Sequence, residues 1–170
     1  MVERMLYLYE YVNASFDDVS HVLAEQGAAL FQDATDAAVE RAGTVQADLV
    51  VDLGGFEVGR DVTIEVGDFD PVEAMRSKVQ LRWRASEHAG LFPALEAQFE
   101  VAALSLHPPL TQVTLVGSYR PPGGPVGTAA DAMFGHRVAE AAMHRFLHRT
   151  IDRLAELASQ IEHAVAVAEG

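Results

Sequence analysis

His136 and Arg60 are the two residues whose type and phase suggest chemistry in this chain. On a helical wheel at about 100° per residue, His136 falls with Ala132, Gly135, Ala139, Met143, Phe146, Leu147, Leu154 and Leu157. His144, Arg145, His148, Arg149, Asp152 and Glu156 fall on the other side. An imidazole on an apolar helix face is a hydrogen-bond donor or a general acid/base for a bound ligand, because its pKa lies near neutrality. It is the weak candidate for a catalytic group; the plainer reading is a satisfied or partly exposed histidine near the start of a helix. Arg60 is in phase with Val58, Val62 and Ile64 on an apolar strand face. A buried cation needs an acidic ligand, an internal carboxylate or a water-filled space. A bulge after Gly59 would instead turn it outward.

Other chemistries find little support. His144 and His148 have the i, i+4 spacing of metal ligands, but no glutamate stands at the metalloprotease position and Arg145 and Arg149 lie alongside, so the reading is a solvated face and no metal site. Gly123, Gly124 and Gly127 precede a helix start, yet Pro121, Pro122 and Pro125 remove amide donors and the spacing matches neither usual nucleotide fingerprint. No serine sits in a Gly-x-Ser-x-Gly setting. The absence of cysteine rules out disulfides and thiol catalysis and fits a reducing compartment, so the expected location is cytoplasmic. No cofactor is expected.

Composition bounds the partners. With 170 residues, 49% of them hydrophobic, one domain spanning residues 1–170 is expected. A formal net charge of -13, with twelve scattered Lys and Arg, repels nucleic acid and anionic membrane surfaces. The sequence contains neither a signal-peptide pattern nor 18 consecutive apolar residues, so membrane insertion is not expected.

These residues must be positioned by strands and helices. Met5 to Val12 reads as a first strand, in which Tyr7, Tyr9 and Tyr11 share one face and compete with Leu6, Leu8 and Val12 for the core. Ser15 with Asp18 caps a helix from Phe16 to about Gln26. Gly27 interrupts, and Ala28 to Arg41 resumes up to Gly43, giving two short helices. From Thr44 the period is two: Val45, Ala47, Leu49, Val51 and Leu53, then a Gly54-Gly55 turn, then Phe56, Val58, Val62, Ile64 and Val66 read as a hairpin. Val79, Leu81, Trp83 and Ala85 form the next inward face, and Leu95, Ala97, Phe99 and Val101 the one after. Their outer faces carry Lys78, Arg82 and Arg84 against Glu96 and Glu100. Pro108-Pro109 turns the chain into Leu110 to Tyr119. Trp83, Phe99 and Tyr119 point inward by alternation, which makes them core residues with ligand contact as the second reading.

Asn13-Ala14-Ser15-Phe16-Asp17-Asp18-Val19 resembles the strand-to-helix corner of the START-like superfamily, the helix-grip fold that includes polyketide cyclase/dehydrase-like SRPBCC proteins and the birch-pollen allergen relatives. The strand, Pro/Gly turn and helix from Thr111 to Leu154 are similar to the end of that fold. The resemblance implies an α+β domain, in which a curved antiparallel sheet of six to seven strands grips a long C-terminal helix. Residues 67–77 are either a short edge strand or a loop. It also implies a hydrophobic small molecule held between sheet and helix; the residues whose strand or helix phase turns them to that space are Arg60, Trp83, Phe99, Tyr119, His136 and Met143. An aromatase/cyclase or dehydratase using the same cavity is the alternative. Residues 128–168 as one helix would extend roughly 60 Å, against about 40 Å for a compact domain of this size, so the distal part from about 159 bends, frays or projects. A homodimer contact through Leu154, Leu157, Ala158, Ile161 and Val165 is a further alternative to packing on the domain's own end.

Overall fold

The computed structural model describes residues 4–50, 62–85, 94–120 and 129–168, apart from the side chains at 46–50, 85, 94, 120 and 129–135. Eight elements follow in order: β1 (Arg4–Val12), α1 (Phe16–Val50), β2 (Val62–Val66), β3 (Asp70–Glu73), β4 (Arg76–Ala85), β5 (Ala94–Leu106), β6 (Pro109–Arg120) and α2 (Ala129–Ala168). The class is α+β, with a curved antiparallel sheet and a long C-terminal helix. The sheet runs β1-β6-β5-β4-β2, with β3 pairing β4 as well.

Alternation is what aims the sheet. Val79, Leu81 and Trp83 on β4, Leu95, Ala97, Phe99 and Val101 on β5, and Val113, Leu115 and Tyr119 on β6 are all buried under the helices. The opposite face carries ion pairs: Arg82 Nε lies 2.9 Å from Glu96, Arg84 Nε 2.7 Å from Glu65 and Arg76 Nε 3.5 Å from Glu100. On β1, Leu6 and Val12 enter the core, while Tyr7, Tyr9 and Tyr11 stand on the solvent face. Gly117 sits where β6 approaches β5 most tightly, since a Cβ there would lie 2.6 Å from the carbonyl oxygen of Glu96.

The first helix departs from expectation. Gly27 does not divide it, and α1 is one helix of 35 residues. A single interior glycine costs a helix only about 1 kcal/mol, which a continuous apolar stripe outweighs. Val19, Val22, Leu23, Leu30, Phe31, Ala34 and Ala38 are all buried along that stripe. Residues 44–50, expected as a strand, continue the helix. Ala38, Ala42, Val45 and Leu49 also have 4-3-4 spacing, so the same apolar residues satisfy either period and the growing helix wins. The end of the expected first strand from Val51, the Gly54-Gly55 turn and the expected second strand from Phe56 up to Asp61 lie outside the described residues. Of that expected hairpin, Val62–Val66 is seen as β2, paired to β4 with Ile64 opposite Trp83. The doubtful stretch at 67–77 contributes β3.

Ser15 starts α1: its Oγ accepts from the amide of Asp18 at 3.1 Å, a cap that contributes about 1 kcal/mol. Thr111 Oγ1 donates to the Ala14 carbonyl at 2.9 Å, tying that corner to β6. The helices pack against each other, with Asp33 paired to Arg149 and Phe31 stacked on Phe146. In the layer, α2 lies toward β1 and α1 toward β2 and β5, and both helices touch β6.

Candidate functional site

The sheet and α2 meet at Tyr119, the last described inward residue of β6. Its ring is 1% exposed, and its neighbours in register are Arg4 on β1 and Leu95 on β5. His136 is in the second turn of α2, with its ring plane 13° from that of Tyr119 and the centroids 6.1 Å apart. The Tyr119 hydroxyl is hydrogen-bonded to His136 Nδ1. The other imidazole nitrogen, Nε2, lies 3.2 Å from Glu140 Oε1, one helical turn further on. When Nε2–H donates to the carboxylate, Nδ1 is the acceptor and the phenol donates to it.

The string Glu140–His136–Tyr119 thus runs from solvent into the core: the outer two side chains are 49% and 35% exposed, and the phenol is buried. Burial pushes the Tyr119 pKa above the usual phenol value, the Arg4 guanidinium opposes that rise, and the Glu140 carboxylate adds to it. At neutral pH the group is therefore a protonated donor. An imidazole oriented by a carboxylate and joined to a hydroxyl is an arrangement that can pass a proton along its hydrogen bonds.

Trp83, Phe99 and Met143 lie deeper. Phe31 and Phe146 tie the first two together: Phe31 meets Phe99 edge-on at 5.0 Å, and Trp83 meets Phe146 edge-on at 5.0 Å. Trp83 Nε1 donates to Thr35 Oγ1 at 3.1 Å, which satisfies its polar atom inside the core. Trp83, Phe99 and Met143 are 2%, 0% and 0% exposed, so no open space adjoins them. Arg60 lies outside the described residues, as do the side chains of Ala132 and Gly135.

The site thus joins two expected residues, Tyr119 and His136, with two that sequence reasoning missed. Glu140 had a signal in its i+4 spacing from His136. Arg4 had none, because its place opposite Tyr119 depends on strand register. Arg149, assigned to the solvated helix face, instead spans the helices to Asp33, with its Nε 2.7 Å from Oδ2. Hydrogen bonding to that guanidinium holds the Asp33 carboxyl below its ordinary range. Among the described residues there is no cluster of three His, Asp or Glu side chains able to hold a metal, and no helix long and apolar enough to cross a membrane.

No protein-family model and no curated protein matches the sequence. Solved structures do match along most of it. A conserved protein from Geobacillus kaustophilus is 14% identical, with 91% of this chain and 96% of that one covered and a TM-score of 0.48. The ZhuI aromatase/cyclase from Streptomyces sp. R1128 is also 14% identical, covering 90% and 94% at a TM-score of 0.40. Truncated norcoclaurine synthase from Thalictrum flavum is 16% identical, covering 81% and 91% at 0.31. The curved antiparallel sheet with its long C-terminal helix is the helix-grip arrangement.

Proposed function

We propose that the protein binds a hydrophobic or amphipathic small molecule between the sheet and the first half of α2, with Tyr119 and His136 meeting its polar end. The observation that carries this reading is the Tyr119–His136–Glu140 string. It stands at the border of an otherwise apolar interior, beside the turns of α2 built from Ala129, Ala130, Ala132 and Gly135. A few convergent polar groups at the edge of an apolar interior can fix a ligand's orientation. Trp83, Phe99 and Met143 form the wall behind, reached only where the core side chains shift. Arg60 remains the candidate partner for an acidic group on the ligand.

The same string favours a second reading, a dehydratase or a cyclase, the latter being what the Streptomyces neighbour is named for. In loss of water from a β-hydroxy carbonyl compound, His136 would take the α proton and Tyr119 would protonate the departing hydroxyl. The proton on His136 would then return to the phenolate. The burial of the Tyr119 hydroxyl places binding ahead of turnover.

Native mass spectrometry of the purified protein, followed by thermal shift with fatty acids, sterols, flavonoids and aromatic polyketides, tests the proposal. A ligand at one hundred times its Kd stabilises by about 2.7 kcal/mol, several degrees in Tm, and His136→Ala should shrink the shift. If no ligand is retained and no class stabilises, the binding reading is wrong. Turnover of a poly-β-keto mimic, lost in His136→Ala with folding intact, would move the assignment to the enzyme.

A further inference from the structure

The first strand ends the sheet on one side. Among the described residues β1 pairs only with β6, so along Arg4–Val12 its other side offers unpaired backbone groups. Such an edge is a template for another strand. Its solvent face is apolar as well: Met5, Tyr7, Tyr9 and Tyr11 are 74%, 62%, 54% and 46% exposed, and neighbouring tyrosine rings lie 6.2 and 5.8 Å apart.

On the face toward the helices, Arg4, Leu6, Leu8 and Glu10 follow one another. Leu6 is buried and the other three are half-buried. Glu10 lies in register with the fully buried Val113, and its carboxylate has neither a cation nor a hydrogen-bond donor among the described residues. Arg4 reaches Tyr119 and has no carboxylate of its own among them. Inward charges at an edge ordinarily discourage strand addition, because an incoming strand would cover them unpaired. In β1 they are spaced to satisfy each other.

With a two-fold axis at Tyr7, a second β1 running antiparallel sets Arg4 opposite Glu10 of the other copy, Met5 opposite Tyr9, Leu6 opposite Leu8 and Tyr7 opposite itself. The symmetry repeats each of these pairs beyond the axis. Opposite charges therefore meet twice, and apolar and aromatic side chains meet their own kind. Shifted registers lose this match: with the axis at Leu8, Glu10 faces Leu6, and with the axis at Leu6, Arg4 faces Leu8.

We infer that β1 is a homodimerisation edge, to which a second copy of this chain adds antiparallel about Tyr7, with the two Arg4–Glu10 pairs fixing the register. This surface is distinct from the distal end of α2.

Sedimentation equilibrium of the full chain measures the dimer. Glu10→Arg sets like charges opposite each other at both pairs and should weaken dimerisation about tenfold. Adding Arg4→Glu to it swaps the charges and should restore the dimer. The register has its own readout, because the chain contains no cysteine. Under oxidation, Tyr7→Cys should give a disulfide-linked dimer about tenfold faster than Tyr9→Cys, since paired Cα atoms at the axis lie about 4.5–5.5 Å apart and those of residue 9 roughly 14 Å. Both tyrosines are exposed, so these variants keep the fold. A monomer at every concentration, a dimer indifferent to Glu10→Arg, a folded swap variant that stays monomeric or equal cross-linking at the two positions would each overturn the assignment. A dimer lost on deleting residues 162–170 would also overturn it, and would put the contact on α2.

Discussion

Tyr119 is the residue in which burial and chemistry pull hardest against each other. An ionised phenolate in the core has lost its water, and only Arg4 offsets that cost, so the folded chain keeps this proton to higher pH than the unfolded chain, whose value is near 10.0. Between those two values the folded state holds more protons. The stability contributed is therefore complete below about pH 10 and is lost as pH rises through the folded value. Denaturant midpoints followed from neutral to alkaline pH should fall less in Tyr119→Phe than in the wild type; parallel curves would show that Tyr119 does not carry the alkaline loss. Tyr119 and His136 were visible in the sequence through strand alternation and the helical wheel. Their hydrogen bond was not, because the two residues belong to different elements whose packing no local pattern states.

Among the elements, α1 shows how one sequence feature can carry two opposite meanings. Gly27 was expected to end a helix, yet it is buried within one, and a Cβ there would meet only Phe31 Cε2 at an ordinary 3.8 Å. Gly27→Ala should therefore stabilise the protein by about 0.5–1 kcal/mol, through the unfolded chain's lost freedom and better helix propensity. Gly117→Ala should do the reverse. Its methyl would lie 2.6 Å from Glu96 O and 2.7 Å from Ala97 Cβ, with a cost of about 1–3 kcal/mol or more, because the obstacle is sheet backbone. Thermal or denaturant unfolding of the two variants gives the comparison, and equal signs would contradict it. The sheet strands from β4 to β6 were legible because half-buried alternation has few competing explanations. Residues 44–50 were not, because alternate apolar residues among alanines fit a helix face as well as a strand face.

For the whole molecule, the helix pair sets what projects. Ala158 is buried, Ile161 is packed on the core, and residues 162–168 are exposed. Deleting residues 162–170 should change stability by no more than about 0.5 kcal/mol, as for other surface changes. A larger loss, or a later elution in size-exclusion chromatography beyond the lost mass, would mean that this end has a partner, as the dimer reading holds. Charge, the lack of cysteine, the α+β class and the apolar face of α2 follow from the amino-acid sequence alone, because composition and periodicity are local properties. The continuity of α1, the joining of Tyr119 to His136, Glu140 and Arg4, and the pairing of Arg149 with Asp33 were decided only by tertiary structure. Each depends on which distant surfaces exclude water together, and that is a property of the packed chain.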